Sequence, residues 1–396
     1  MTADPQDGGF GLYVHWPFCA AKCPYCDFNS HVSAAVDHAA WRRGLLAELR
    51  RQAAEHAGRR LDTIFFGGGT PSLMDPDTVG AVIAEAERLW PGGADREISL
   101  EANPTSAEAA RFVGFRDAGV NRVSIGVQAL QDDDLRRLGR THDAPSARTA
   151  YDDARRVFDR VSLDLIYARQ FQDVEAWAAE LDEVIAMEPD HASLYQLTIE
   201  ERTVFYRRAR VGRLPGLPDE NRAADLYEMT TDRMAASGRP AYEVSNHAVP
   251  GAECRHNLIY WRAGDWLGVG PGAHGRCGAG GSRVATVSTS DPAAWLASAG
   301  SASATASRDR GRGPSHAEEY LLTSLRLAEG LDRRRLLALG QTLYDEDIAP
   351  LVGDGLVHPC FDSTVRPTRK GMALADSLVS YLAARSSPAR ESISQS

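Results

Sequence analysis

The sequence predicts an α/β fold in which a largely parallel sheet is covered by helices. From residue 61 to about residue 245, short runs rich in β-branched and aromatic residues alternate with segments of helical periodicity. Strands and helices that alternate this often form crossover units, so the sheet is either doubly wound or closed towards a barrel. In barrels of this kind, chemically active side chains lie at the carboxyl ends of the strands.

Local signals place the individual elements. Asp75 and Pro76 begin a helix over Thr78–Trp90, and Gly119 ends a helix over Ser106–Ala118. An earlier helix shows an apolar face with regular spacing at Trp41, Leu45, Leu46, Leu49 and Ala53. The predicted strands are Thr63–Phe66, Glu97–Ala102, Arg122–Val127, Val161–Tyr167 and Ser193–Ile199.

The amino-acid composition and net charge limit the classes of protein to which this chain can belong. The chain has 396 residues, 43% hydrophobic and 25% charged, which is typical of a globular protein of about two or three domains. Its net charge of -10 opposes binding to nucleic acid or anionic lipid. The apolar runs are too short to cross a membrane, and the first residues lack the pattern of a signal peptide. We therefore expect a cytoplasmic protein without an integral membrane segment.

The chain divides into four predicted segments. Residues 1–290 contain the α/β core, and residues 291–313, rich in Ala, Ser, Gly and Arg, are predicted to form a flexible linker. Residues 314–383 combine helical patterns with two short strands, which indicates a small winged-helix-like domain. Acidic side chains outnumber basic ones there, so we expect a docking or lid role rather than DNA binding. Residues 384–396 are predicted to be a disordered tail.

Three cysteines lie close together near the N-terminus. Cys19, Cys23 and Cys26 form the pattern CxxxCxxC, which in a reducing compartment favours metal binding over disulfides. A structural zinc site normally needs four ligands, and Asp27 or His31 would have to supply the fourth. An iron–sulfur cubane held by three thiolates would leave one iron open to a small molecule.

Further candidate binding residues follow predicted strands. Residues 65–72, FFGGGTPS, contain three glycines that would let backbone approach a ligand, although a tight strand-to-helix turn explains them equally well. The lysine of a P-loop is absent from this segment. Glu101, Gln128 and Asp164 each lie towards the end of a predicted strand. Their shared placement favours one common ligand, with carboxylates suited to a ribose or an ammonium group.

The segment YVHWPFCAAKCPYCDF is similar to the signature of the radical S-adenosylmethionine superfamily. The resemblance implies a partial (β/α) TIM-like barrel of the radical SAM type and a [4Fe–4S] cluster on Cys19, Cys23 and Cys26. It also implies that S-adenosylmethionine binds the fourth iron of the cluster through its amino and carboxylate groups. The cofactor contacts implied by position are Tyr13, Gly68, Gly69, Thr70, Glu101, Gln128, Arg140 and Asp164. A surface arginine is the alternative interpretation of Arg140.

A narrower resemblance is carried by CPYCDFNS, GVQALQDDDLRRLGRTH, YQLTIE, HNLIYW and GPGAHG, which resemble the HemW family of heme chaperones from about Gly11 to Ala383. The related oxygen-independent coproporphyrinogen III oxidases have a longer N-terminal segment and a further cysteine where this chain has Phe28. The resemblance implies that heme is bound and passed to an acceptor such as a respiratory enzyme. Two alternatives are a radical enzyme that decarboxylates porphyrinogen propionates and a zinc-stabilised α/β protein.

The segment CRHNLIYW, residues 254–261, is the candidate heme feature. We expect an exposed His256, close to aromatic side chains, to bind the heme iron axially. A structural histidine is the competing interpretation. Cys254 is the second candidate ligand and His274, in GPGAHG, is the third. The aromatic side chains expected near His256 are Tyr260, Trp261 and Trp266.

The turn after DLIY departs from the family pattern. The family usually has a Gly-Pro-Gly turn there, whereas this chain has residues 168–171, Ala-Arg-Gln-Phe. A bulkier turn would narrow the site near the nucleoside, so we expect an effect on cofactor affinity rather than on the cluster.

Overall fold

A computed structural model of the chain describes residues 8–33, 35–279, 282–310, 315–359 and 362–389. The strands are β1 (Phe10–Trp16), β2 (Phe18–Cys19), β3 (His31–Val32), β4 (Thr63–Gly68), β5 (Glu97–Ala102), β6 (Arg122–Gln128), β7 (Arg160–Tyr167), β8 (His191–Gln196), β9 (Asn246–Ala248), β10 (Asp265–Val269), β11 (His274–Ala279), β12 (Ser282–Ser288), β13 (Thr305–Arg310), β14 (Leu331–Asp332), β15 (Gln341–Thr342), β16 (Thr364–Val365) and β17 (Ser387–Pro388).

The helices are α1 (His38–Glu55), α2 (Pro76–Leu89), α3 (Ser106–Ala109), α4 (Phe112–Asp117), α5 (Asp132–Arg137), α6 (Ala144–Val157), α7 (Val174–Ala186), α8 (Val204–Arg210), α9 (Glu220–Ala236), α10 (Arg255–Trp261), α11 (Pro292–Ser298), α12 (His316–Ser324), α13 (Arg333–Ala338), α14 (Asp345–Gly353), α15 (Arg369–Ala373) and α16 (Ala375–Ala383). None of these helices combines the length and apolar character needed to span a bilayer.

One large sheet organises the molecule. Its eleven strands have the order β13-β12-β11-β10-β1-β4-β5-β6-β7-β8-β9. Strands β10, β1 and β4 to β8 pair in parallel, whereas β9 and β11 to β13 pair antiparallel to their neighbours. Among the described strands, β13 and β9 are the two edges of the sheet, so the sheet does not close into a complete barrel. The predicted α/β fold class is confirmed.

In the parallel strands, the side chains that face the covering helices are apolar, and those that face the barrel interior are mainly polar. In β6, the side chains of Val123, Ile125 and Val127 are fully buried, whereas Ser124 lines a cavity in the barrel. Successive side chains of a strand point to opposite faces, so one face of β6 packs under the helices and the other faces the barrel interior. The interior can therefore hold polar ligands instead of a packed aliphatic core.

Aspartates cap the helices that cover the sheet. Asp143, Asp173 and Asp219 accept hydrogen bonds from backbone N–H groups in the first turns of α6, α7 and α9. Each cap stabilises its helix by about 1 kcal/mol, because it satisfies an N–H group that has no partner within the helix. The caps fix where each crossover helix begins above the sheet.

The structure differs from the flexible linker predicted over residues 291–313. Asp291 caps α11, Trp295 is fully buried, and its ring stacks on Trp41 with centroids 5.6 Å apart. Residues 305–310 form β13, an edge strand of the large sheet. The small residues that suggested flexibility allow close packing instead: a Cβ at Gly300 would lie 2.9 Å from the Cβ of Ala47. Residues 311–313 lie outside the described residues.

The C-terminal residues form a small unit with its own apolar core. Leu321, Leu336, Val365 and Leu382 are among its fully buried side chains. Two short sheets, β14 with β16 and β15 with β17, join its helices. The tail predicted as disordered over 384–396 therefore contributes β17, while residues 390–396 lie outside the described residues. The winged-helix-like assignment of this unit stays an interpretation.

Candidate functional site

The three clustered cysteines lie on the loop that leaves β1 at the carboxyl end of the barrel. The N–H group of Cys26 donates to the carbonyl of Cys23 at 3.2 Å, and Cys19 ends β2. Burial raises the pKa of Cys19 and of Cys26. Among the described residues, no three His, Cys, Asp or Glu side chains converge on a position for one metal ion. In a four-iron cluster the thiolates bind separate irons and need not converge on one point.

A chain of hydrogen bonds runs from one cysteine to another. Thr70 Oγ1 donates to Cys19 Sγ at 3.4 Å, and Asn103 Nδ2 donates to Thr70 Oγ1 at 3.0 Å. Arg140 donates to Asn103 Oδ1 and, through Nη1, to Cys23 Sγ at 3.4 Å. Hydrogen bonds and a guanidinium charge favour thiolate over thiol, so this donor set fits a cluster bound through thiolates.

Two members of this chain of hydrogen bonds, Arg140 and Asn103, bear on the sequence predictions. Arg140 is not a surface arginine, because its guanidinium also donates to the carbonyl of Gly126 at 3.0 Å. Asn103 was missed, although it lies just beyond β5, two residues after Glu101. Its position just after a strand that carries a candidate site carboxylate was the signal that could have found it.

The glycine turn after β4 is required by packing within the chain. Gly68 has a φ of 111°, and a Cβ there would lie 2.5 Å from the His15 ring. A Cβ at Gly69 would lie 2.7 Å from the carbonyl oxygen of Phe18. The Gly68 N–H group donates to Glu101 Oε2 at 3.2 Å, which connects the turn to the barrel interior. The tight turn is thus present, and the cofactor contacts of Gly68 and Gly69 stay predictions.

Tyr13, Glu101 and Asp164 come together on a cavity of about 180 Å³ inside the barrel. Asp164 accepts hydrogen bonds from Ser124 Oγ at 2.8 Å and from Ser162 Oγ at 3.3 Å. The remaining lining comes mainly from β4, β6, β8 and the segment around α10, and consists of Phe65, Arg122, Ser124, His191, Ser193, Tyr195, Cys254, His256, Asn257 and Tyr260. A buried cavity with convergent carboxylates suits a ligand that carries hydroxyl or ammonium groups.

Gln128 is placed differently from the two carboxylates. It ends β6 with a φ of 70°, and its carbonyl accepts a hydrogen bond from Arg169 Nη1 at 3.3 Å. A Cβ at Gly126 would lie 3.0 Å from Gln128 Nε2, so the amide folds back over β6 near Arg140. Gln128 is thus not among the residues that line the cavity, and its amide lies near Arg140.

The two cavity carboxyls influence each other. Burial raises the pKa of Glu101 to about 8, and the charge of Asp164 adds to the rise. Burial also raises the pKa of Asp164, against the hydrogen bonds from the surrounding serines. Ionising both groups without a ligand is costly, because they are buried and the nearby charge of Arg122 offsets this only in part. A ligand with a positive charge would relieve this repulsion.

The raised pKa of Glu101 predicts a pH-dependent stability of the ligand-free protein. Between about pH 5 and about pH 8 the folded protein keeps a proton on Glu101 that the unfolded chain has lost. Stability should therefore fall as the pH rises through this window. In Glu101→Gln this part of the pH dependence should disappear, which melting temperatures of both proteins across the window would measure. An unchanged pH dependence in the variant would contradict the assignment.

Comparisons with known proteins agree with this geometry. The model of the Radical SAM superfamily matches residues 13–179. The chain is 36% identical to the heme chaperone HemW of Mycobacterium tuberculosis H37Rv over 377 residues, which cover 94% of each protein. This chain belongs to the HemW family. It is also 43% identical to HemW of Escherichia coli K12, over 67% of this chain and 69% of that protein.

Two further proteins are similar to this HemW-family chain. The mitochondrial radical S-adenosyl methionine domain-containing protein 1 of Bos taurus is 44% identical over 74% of this chain and 69% of that protein. Among solved structures, coproporphyrinogen III oxidase (HemN) of Escherichia coli superposes with a TM-score of 0.76 at 23% identity, covering 94% of this chain and 89% of that one. The latter match shows a shared fold.

In this HemW-family chain, helix α10 closes the amino end of the barrel. Glu97, the first residue of β5, accepts hydrogen bonds from the backbone N–H groups of Arg255 at 3.2 Å and His256 at 3.1 Å. It also forms an ion pair with Arg160 at 2.8 Å. Burial acts to raise the pKa of Glu97, but Arg122, Arg160 and these N–H groups outweigh it and lower the pKa. Glu97 therefore anchors the helix as a carboxylate.

The expected exposure of His256 is wrong. Its side chain is 1% exposed, and both ring nitrogens are hydrogen-bonded, Nδ1 with Thr63 Oγ1 at 2.6 Å and Nε2 with Tyr260 Oη at 2.7 Å. Burial lowers the pKa of His256 to about 3. The ring also stacks on Phe65, with centroids 5.1 Å apart. These contacts do not fit an accessible axial ligand; they fit the structural histidine that was the competing interpretation.

The other two heme-ligand candidates differ in accessibility. Cys254 is also 1% exposed, its thiol donates to Glu97 Oε1 at 3.6 Å, and burial raises the pKa of Cys254 to about 12. It therefore belongs with His256 at the closed end of the barrel. His274, in contrast, is exposed at the start of β11.

The altered turn after β7 adopts left-handed backbone at two positions. Ala168 has a φ of 57° and Phe171 a φ of 62°, conformations that glycine adopts with less strain. The buried guanidinium of Arg169 holds the turn by donating to Ile166 O at 2.7 Å and by pairing with Glu180. The Phe171 side chain is 60% exposed and lines an open groove beside α5 and α7, not the cavity around Asp164.

Proposed function

We propose that this protein is a heme chaperone that binds heme and passes it to an acceptor protein such as a respiratory enzyme. The observation that carries the proposal is the match to a heme chaperone HemW over 94% of both chains. Phe28 supports it, because this residue stands where the oxidase pattern has a further cysteine and its side chain is 56% exposed beside the cysteine loop. We place this activity in the cytoplasm and expect no nucleic-acid partner.

The resident cofactors of this proposal are a [4Fe–4S] cluster and S-adenosylmethionine. Cys19, Cys23 and Cys26 would hold the cluster, and Thr70 and Arg140 would donate hydrogen bonds to its thiolates. S-adenosylmethionine would be held by the residues of the cavity and the strand ends, namely Tyr13, Gly68, Gly69, Thr70, Glu101, Gln128, Arg140 and Asp164. In the superfamily this cofactor can supply a radical when an electron cleaves it.

The residues of the chain have separable tasks in this arrangement. Asp164 would accept hydrogen bonds from ligand hydroxyl or ammonium groups, because the serines that contact it occupy only part of its acceptor capacity. Glu101 would bind the same ligand and keep the glycine turn in place through the Gly68 N–H group. Helix α10 would exclude water from the amino end of the cavity, since His256 and Tyr260 both line it.

A radical enzyme that decarboxylates porphyrinogen propionates is the second candidate function. The observation that favours it is the fold shared with coproporphyrinogen III oxidase (HemN) at a TM-score of 0.76. Fold and cofactors are common to both candidates, so only heme binding and turnover separate them.

Titration with hemin tests heme binding by the proposed chaperone. Absorption spectra of the purified protein should show a Soret band distinct from that of free hemin, saturating at about one heme per chain, as one axial ligand implies. A heme-loaded sample should then transfer its heme to an apoprotein that requires it. Spectra identical to free hemin at all ratios would contradict the proposal.

Loss of a cavity carboxylate is expected to weaken cofactor binding while the cluster stays intact. Asp164→Ala and Glu101→Ala should each weaken binding of S-adenosylmethionine by roughly 1.5 to 3 kcal/mol, the range for hydrogen bonds that involve a charged group. Calorimetry on anaerobically reconstituted protein would measure the change. Asp345→Ala is the matched control, because that carboxylate is 92% exposed on the C-terminal unit. Unchanged affinity in both cavity variants would show that this site is misplaced.

A further inference from the structure

We propose that heme binds at the face of strands β10 and β11 that carries Trp266 and Arg276, with His274 as its axial ligand. This inference rests on the proposed function and names the residues that would perform it. His274 and His358 are the histidines of the described residues that are exposed. His358 lies on the C-terminal unit, whereas His274 begins a strand of the large sheet.

The register of the sheet places an aromatic and a cationic side chain on the same face as His274. Trp266 of β10 pairs directly with Arg276 of β11. Because side chains two residues apart on a strand share a face, His274 and Arg276 point to the same side as Trp266. The Trp266 indole N–H donates to the carbonyl of His274 at 3.0 Å, which fixes the ring beside this residue.

Aromatic rings extend this face towards helix α10. The ring of Tyr260 lies edge-on against Trp266, with centroids 4.6 Å apart. Both side chains are partly exposed, so they offer apolar surface to a planar ligand. A porphyrin requires such a surface beside an axial donor, and His274 supplies the accessible imidazole.

An arginine on this face, Arg276, matches a propionate of heme. Arg276 pairs with Glu319 at 3.3 Å, and Arg283 pairs with the same carboxylate at 2.5 Å. The Arg283 guanidinium also lies 5.5 Å above the Trp266 ring. The Arg283 side chain is only 3% exposed, so its pairing with Glu319 leaves Arg276, which is 29% exposed, as the group available to a carboxylate of the ligand. Arg283 also lies 3.7 Å from Asp265, whose charge Arg59 offsets at 2.5 Å.

The turn before His274 is connected to the cysteine loop. Asn29 Nδ2 donates to the carbonyl of Pro271 at 2.9 Å, and a Cβ at Gly272 would lie 2.6 Å from that same nitrogen. Gly272 has a φ of 75°, so a glycine suits this position for both reasons. Asn29 follows Cys26 by three residues, which places His274 on a turn that packs against the cluster loop. The proposed axial ligand His274 would therefore lie on the side nearest to the cysteine loop, while Trp266 and Arg276 extend the site towards helix α10.

Absorption titrations with hemin test this assignment in the full-length protein. His274→Ala should lose the protein-specific Soret band, and added imidazole should restore it by replacing the missing ligand. Arg276→Gln should keep the band position but weaken hemin binding by about tenfold or more, since it removes a charge-assisted hydrogen bond. His358→Ala, which removes the other exposed histidine, should match the wild type.

The outcomes separate this inference from the proposed function. If the wild type binds hemin and His274→Ala gives the same spectrum and affinity, the site is elsewhere while the chaperone function stands. If the wild type itself shows no saturable hemin binding, the proposed function fails. A His256→Gln variant adds a further check: its Soret position should be unchanged, and a shifted band there with an unaffected His274→Ala would assign the ligand to helix α10.

Discussion

The Cys23→Ser variant is expected to lose the iron–sulfur cluster completely. Protein purified and reconstituted without oxygen should be brown, contain about four irons per chain and absorb broadly in the visible. In the proposed cluster Cys23 would supply one of three thiolates, and Arg140 donates a hydrogen bond to its sulfur at 3.4 Å. A serine hydroxyl at this position cannot replace a thiolate, because it remains protonated at neutral pH. Iron and sulfide analyses would therefore fall to background.

Cys277→Ser is the matched control for this prediction. Cys277 is buried, 5% exposed, and its thiol donates to the carbonyl of Trp266 at 3.5 Å, a bond that a hydroxyl can keep. Colour and iron content should be unaffected there. Stoichiometric zinc without inorganic sulfide in the wild type would end the cluster hypothesis.

The Glu97→Ala variant is expected to lose about 3 to 5 kcal/mol of its free energy of unfolding, the range for removing one partner of a buried ion pair. Glu97 has a fully buried side chain, pairs with Arg160 at 2.8 Å and accepts the backbone N–H groups at the start of α10. Without Glu97, the guanidinium groups of Arg122 and Arg160 and two backbone N–H groups of α10 would lose the carboxylate that they share. Urea unfolding followed by circular dichroism would measure the loss.

Glu329→Ala provides the comparison at the surface. Glu329 pairs with Arg262 at 2.6 Å, but its side chain is 49% exposed. Exposed pairs contribute about 0 to 1 kcal/mol, so this variant should stay close to the wild type. Equal and small losses in both variants would show that Glu97 does not anchor the helix.

The cysteine motif and the alternation of strands and helices were readable from the sequence because both depend on local patterns. The spacing of Cys19, Cys23 and Cys26 favours metal binding over disulfides without any knowledge of the fold, and the residues around it carry the resemblance to the radical SAM signature. Glu101 and Asp164 were recognised as partners because parallel strands bring their carboxyl ends to one edge. The alternation of polar and apolar residues in β6 likewise fixes which side chains face the cavity.

The closed end of the barrel could not be predicted in the same way. Thr63, Glu97 and Arg160 each begin a different strand, and only the folded sheet brings them around helix α10. A histidine next to aromatic residues looks the same in sequence whether it is exposed or buried, so His256 was misjudged. The segment rich in small residues around Gly300 was ambiguous as well, since small side chains permit both flexibility and close packing.

Product analysis combined with a hemin titration decides between the heme chaperone and the radical enzyme. Anaerobically reconstituted protein would be incubated with a reductant, S-adenosylmethionine and coproporphyrinogen, while a parallel sample is titrated with hemin, and products and heme content would be quantified together. A heme chaperone should bind hemin saturably and form no decarboxylated porphyrinogen. Decarboxylated product that accumulates over many turnovers would contradict the chaperone assignment and establish the radical enzyme in its place.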